Sequence, residues 1–309
     1  MTQRGWQQSR GWGWVWGADD EIGALNTIDA SSRLAALQSI KTGAAYDLGV
    51  LVDRTSFLAS PHVGTEVVAF RTPQGLTADA STELGAPGVS FNTSLVVVSD
   101  HAGTQIDGLC HATLGPDEHW YNGATAEAHG RDFGPDRSAA HTFPPIIAPG
   151  VLIDVAAGVD ELSPHYPITP TDLQDALRRQ ETEIRPGDVV LIRTGALRHW
   201  GEVGANHTAL TGPDTAGLTL ESARWLVEDC GAMLIGSDTS TVEVMPPVDG
   251  DNQSPVHSYL LVEQGVPMGE LHYLEELAAS RTYRFCYIAL VPKLRGITAG
   301  FALRPVALA

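Results

Sequence analysis

The chain has 309 residues, 43% of them hydrophobic, enough for one large domain or two smaller ones with a full core. Its 19 Lys plus Arg stand against 37 Asp plus Glu, and the net charge of −18 argues against nucleic acid or an anionic membrane as partner through a general positive field. No apolar run approaches the ~20 residues that a membrane-spanning helix needs.

The opening stretch, "MTQRGWQQSRGWGWVWGADDE", has neither an apolar h-region nor a small-residue cleavage site, so it does not read as a signal peptide. The three cysteines (Cys110, Cys230, Cys286) are odd in number and widely spaced, as expected of reduced thiols, and a cytoplasmic protein is the expectation. Trp6, Trp12, Trp14 and Trp16 lie among glycines in residues 1–20, which read as an arm packing over the core or onto a neighbouring subunit. Four tryptophans are too much apolar area for a solitary chain to expose, so a homodimer or homotetramer is expected, with Trp16 a candidate for the wall of a substrate pocket. Asp29, Ser31 or Ser32 could cap the helix suggested by Arg33 to Ile40.

Strand signals then dominate: "AAYDLGVLV", "EVVAF", "SLVVVSD", "GVLIDVA", "DVVLIRTG", "GAMLIGSD" and "RFCYIALV". Most are continuous apolar runs, which suggests strands covered on both faces. Between them, "TPTDLQDALRRQ" predicts a helix capped by Thr169 or Thr171, with Pro170 in the first turn. "LTLESARWLVEDCG" predicts another, closed by Gly231, and "LHYLEELAAS" a shorter one. Gly115 to Pro149 reads as long loops, where His119, Trp120 and Tyr121 could wall a substrate pocket or simply pack. His199 and Trp200 follow a strand end and could approach that pocket. Asp238 ends a buried strand, where it could orient a ligand side chain or cap backbone. With no repeat and no linker, residues 21–309 read as one mixed α/β domain.

The chemistry concentrates in "SDHAGTQIDGLCHA", residues 99–112, directly after an apolar run. Side chains alternate along a strand, so His101, Gln105 and Asp107 share a face. A straight strand would hold the Cα atoms of residues 101 and 105 roughly 13 Å apart, so Gly103 is expected to mark a bulge or bend. Imidazole and carboxylate suit Zn or Mn, with an amide oxygen as a weaker neutral ligand. The competing reading is a polar strand end whose histidines satisfy loop backbone. His111 lies beyond a turn at Gly108 and could fold back to move protons, whereas Cys110 reads as a small packing residue.

"HAGTQIDGLCH" resembles the signature H-x-G-T-H-x-D-x-x-x-H of the cyclase family, which includes bacterial kynurenine formamidases and isatin hydrolases. "WGADDEIGALN", "IRPGDVVLIRTGALRHW", "LTLESARWLVEDCGAMLIGSDTSTVEV", "PVHSYLLVEQGVPMGELHYLEELA" and "PKLRGITAGFALRPVAL" follow in family order. The resemblance implies a mixed, partly barrel-like sheet flanked by helices, the swivelling β/β/α arrangement. It also implies a divalent metal, Mn or Zn, held by His101, the position of Gln105, Asp107, His257 and Glu270, with His111 as general acid/base. The departure is Gln105, which stands where the family has its second signature His. One ion is therefore expected, held by His101, Gln105 and Asp107 with His257 or Glu270 completing the shell.

These readings point to a metal-dependent hydrolase of a small-molecule amide (N-formyl or cyclic) or lactone. A lyase, dehydratase or cyclase using the same groups is the alternative within enzymes, and a catalytically silent metal- or ligand-binding homologue is the alternative outside them.

Overall fold

The structure is a computed structural model and describes residues 6–59, 61–78, 90–201, 206–248 and 250–309. In chain order the strands are β1 (Ala45–Asp47), β2 (Glu66–Arg71), β3 (Thr93–Val97), β4 (Gln105–Asp107), β5 (Ile146–Asp154), β6 (Pro167–Ile168) and β7 (Val189–Arg193). There follow β8 (Gly217–Leu218), β9 (Leu234–Ser237), β10 (Met268–Glu270), β11 (Arg284–Ala289), β12 (Ala299–Gly300) and β13 (Val306–Leu308).

The continuous apolar runs become the middle of a nine-stranded sheet ordered β1-β13-β11-β5-β7-β9-β10-β4-β12. Strands β5, β7, β9 and β10 pair in parallel, and the strands outside them pair antiparallel. The sheet curls strongly into a half-barrel with helices packed on it, as the resemblance implied. Every residue of β7 and β9 is buried, which is why these strands are apolar without alternation.

The helix signals are read correctly at their starts. Asp29 accepts from Ser32 N, and Thr169 accepts from Asp172 N at the head of Pro170–Arg179, whose N-terminal residue is the expected proline. The helix Leu220–Arg224 continues as a π-helical turn, Trp225–Asp229, before Gly231 takes φ +73°. No helix among the described residues is long and apolar enough to cross a membrane.

One expectation needs correction, and for the arm one of its two alternatives is found. Residues 94–98 do not form a buried strand that delivers the polar cluster. Among the described residues β3 pairs with β2 alone, in a separate ribbon whose two strands are exposed throughout because no other described element covers it. The arm, in turn, buries itself on its own chain. Trp12 is 2% exposed within the main core and donates through Nε1 to Ala232 O at 2.8 Å. Trp16 stacks on Trp12, Trp6 donates to Val227 O, and Trp14 is the arm tryptophan left mostly exposed. A cluster of apolar side chains open to solvent lies on the ribbon, at Val67, Val68, Phe70, Leu95, Val96 and Val97.

Candidate metal centre

β4 sits between β10 and β12, with Gln105 opposite Glu270 and Asp107 opposite both Met268 and Ala299. Directly opposed residues share a face, so Gln105, Asp107 and Glu270 gather on one side of the sheet. His101 lies in the turn before β4, and Gly103, at φ +66°, supplies the expected bend. A Cβ there would come within 2.4 Å of Val52, so glycine is demanded by space as well as by dihedral. The bend brings His101 Nδ1 to 3.2 Å from Gln105 Nε2 and 3.4 Å from Asp107 Oδ1. The turn that His111 N–H closes on Gly108 O folds residue 111 back, and its ring centroid lies 4.1 Å from that of His101. His257, in the short helix Pro255–His257, places Nε2 3.5 Å from Glu270 Oε1.

The ligand-capable atoms fall into two groups that share Asp107: His101, Asp107 and His111, and Asp107, His257 and Glu270, each mutually within 4.8 Å. Asp107 is fully buried, yet among the described residues neither carboxylate oxygen has a hydrogen-bond partner, and Gln105 Oε1 is likewise orphaned. A buried carboxylate without a partner is costly. A cation among these atoms would relieve that cost, and carboxylate, imidazole and amide oxygen are donors that Mn or Zn accepts. The residues present fit a divalent ion.

Neighbouring groups fix which ring nitrogens face inward. Thr298 donates its hydroxyl proton to Asp100 at 2.9 Å, so its oxygen accepts from His101 Nε2 at 3.0 Å and leaves His101 Nδ1 bare toward the centre. Glu243 accepts from His257 Nδ1 and, through its other oxygen, from Val256 N at 2.9 Å, which leaves His257 Nε2 facing Glu270. Burial raises the Asp107 carboxyl well above its usual value, and the Glu270 charge raises it further. Burial lowers the His111 imidazole well below its usual value, with His101, His257 and His62 acting the same way. Burial would lower His257 too, but Glu243 and Glu270 outweigh it and hold that ring high.

His101, Gln105, His111, Glu243, His257 and Glu270 line a cavity of about 180 Å³ whose other walls include Phe57, His62, Ser240 and Ser254. The loop aromatics do not reach it. Trp120 packs with Cys110, Ala124 and Ala139; Tyr121 is buried in the main core and donates to Asp20 at 2.7 Å; His119 pairs with Asp117. Trp16 is spent on Trp12. Burial pushes the Cys110 thiol up to about 12, as suits a packing residue. Asp238 caps backbone: it accepts from Thr194 N, Thr194 Oγ1 and Gly195 N, each at 2.8 Å, and burial pushes it up to about 6. The orienting role considered for it is taken at His257 by Glu243. The sequence held one signal for Glu243, a lone carboxylate between Val242 and Val244 that would need a partner if buried. For Thr298, Asp100 and His62 it held none.

The family described as putative cyclase matches residues 40–244. A search of curated proteins finds no match. Among solved structures, a novel cyclase is 26% identical with a TM-score of 0.83, covering 97% of this chain and 100% of its own. Isatin hydrolase A from Ralstonia solanacearum is 20% identical with a TM-score of 0.61, covering 91% of this chain and 97% of its own. A predicted metal-dependent hydrolase from Bacillus stearothermophilus is 17% identical with a TM-score of 0.50, covering 85% of this chain and 97% of its own. At such identities the last two speak for the fold.

Proposed function

The chain belongs to the cyclase family, and from that premise we propose that it is a metal-dependent hydrolase acting on a C–N amide bond, N-formyl or cyclic, or on a lactone. The observation that carries this reading is Asp107, fully buried, with no hydrogen-bond partner for either oxygen among the described residues, and shared by two ligand-capable groups whose His101, His111, His257 and Glu270 line a cavity. His101, Asp107, His257 and Glu270 would hold the ion, Mn or Zn, with Gln105 Oε1 able to join them after the amide turns over. When bound, such an ion supplies a Lewis acid for the scissile carbonyl and lowers the pKa of bound water toward ~7.

The chain's own groups do the rest. Burial keeps His111 neutral, the form that takes a proton from the attacking water. The same ring then returns the proton to the leaving nitrogen or oxygen. Thr298 holds His101 in the tautomer that presents Nδ1 to the centre, and Glu243 orients the His257 ring with Nε2 toward Glu270. The substrate is a small molecule sized to the cavity. A cytoplasmic homodimer or homotetramer belongs to the same proposal, and the exposed apolar ribbon β2–β3 supports the assembly.

One observation favours the silent alternative: Gln105 spends its amide protons on His101 Nδ1 and Glu270 Oε2, between two would-be ligands. Elemental analysis decides between the two readings, together with a screen of N-formyl, lactam and lactone compounds. The hydrolase retains a stoichiometric divalent ion and turns over one of these classes, and Asp107→Ala loses both properties. Protein that takes up no ion after Mn or Zn loading would establish the silent reading.

A further inference from the structure

A second cavity, of about 230 Å³, lies against the metal cavity, and Phe57, Ser240 and Leu271 line both. Together the two reach the size range of small-molecule sites, ~300–1,000 Å³, which the metal cavity alone does not. The partition between them is built with care. Leu271 directly follows Glu270 and has φ +51°, a left-handed conformation that a leucine rarely adopts. Its N–H donates to Thr239 O at 3.0 Å, which holds it there. Such strain gathers at ligand clamps. The Ser240 hydroxyl, on the wall of both cavities, has no hydrogen-bond partner among the described residues, so it is free for a ligand.

The chemistry of the second chamber is one-sided. Phe57, Leu162, Ala209, Leu210 and Leu271 give it apolar walls. Its carboxylates are Glu161, Asp214 and Asp238, and among the described residues no Lys or Arg lines it. The nearby cation, Arg198, is committed to Asp160 and Glu161. His199 donates through Nε2 to Glu161 at 2.7 Å, which leaves Nδ1 as an acceptor without a partner among the described residues.

We propose that this chamber receives the arm of the substrate: an uncharged, apolar arm, aromatic or branched, whose tip donates a hydrogen bond to His199, with carboxylate-, sulfonate- or phosphate-bearing arms excluded. The proposal rests on the hydrolase reading only in placing the scissile bond across the partition, at the metal cavity. An anion in the chamber would meet carboxylates with no free cation to offset its desolvation.

Calorimetric titration of the metal-loaded protein with phenylethanol and with phenylethanesulfonate tests the idea, because both carry the same arm. Phenylethanol binds at least tenfold more tightly than the sulfonate. Ala209→Trp, which fills the chamber from an exposed turn, weakens phenylethanol at least tenfold, and His199→Ala weakens it about fivefold. Melting temperature and metal content control for the fold of both variants. Equal binding of alcohol and sulfonate overturns the proposal, as does affinity unchanged within twofold in both variants. Neither readout requires turnover, so an inactive protein that binds phenylethanol in this way would sink the hydrolase reading and leave the chamber's assignment standing.

Discussion

Gln105 donates from Nε2 to Glu270 Oε2 at 2.6 Å, across the antiparallel pair that sets these two residues opposite each other. The bond joins the position where the chain departs from the family's signature to a carboxylate on the opposed strand. It also turns the amide oxygen away from any partner. The site is thus assembled around an amide where an imidazole is usual, and its behaviour should follow from that exchange.

His111→Ala should keep the ion and lose activity by about 10²–10⁴-fold, the usual contribution of a general acid/base. Elemental analysis beside a turnover assay checks both halves. Because His111 falls within the same 4.8 Å group as His101 and Asp107, loss of the ion in this variant would make it a ligand instead.

Glu243→Gln should lower metal affinity by about 10–100-fold without unfolding the protein. It weakens the acceptor that fixes the His257 ring while leaving the ring in place. Chelator competition gives the affinity, and far-ultraviolet circular dichroism checks the fold. An unchanged affinity would mean that His257 is held by its backbone alone.

Trp12→Ala should cost about 3–5 kcal/mol of stability, the range for a large aromatic removed from a core. The side chain is buried, and Ala232 O would also lose its indole donor. Sedimentation should show no change in subunit number, since the arm packs on its own chain. A variant that dissociates without losing intrinsic stability would place the arm at an interface.

Much of the fold could be read because its central strands are parallel and buried on both faces, which writes them as unbroken apolar runs such as Val189–Ile192. The cap at Thr169 and the bend at Gly103 were legible for equally local reasons, a hydroxyl before a helix and a glycine inside a ligand-spaced cluster. Of the strands that build the site, β4 was legible in that Gln105 and Asp107 share a face, whereas β10 and its pairing with β4 were not. β4 and β10 are three residues each and carry polar side chains, so their pairing depends on long-range register that no local pattern encodes. The ribbon at residues 93–97 misled in the opposite sense: its composition says buried, and among the described residues nothing covers it. The tryptophan and tyrosine of the 115–130 loop look the same in sequence whether they face a substrate or a small core, and Trp120 and Tyr121 face the core.

The central claim is that an ion binds at the face shared by Asp107 and residue 105. Chelator-competition titration with Zn, on the native protein and on Gln105→His at one pH, tests it most directly. Nitrogen is the better donor to that ion, and the imidazole would free Glu270 Oε2 from the amide it now holds. The native protein should bind Zn, and Gln105→His should bind it more tightly. Equal affinities within about twofold, roughly 0.4 kcal/mol, or no binding by either protein, would contradict the placement of residue 105 at the metal.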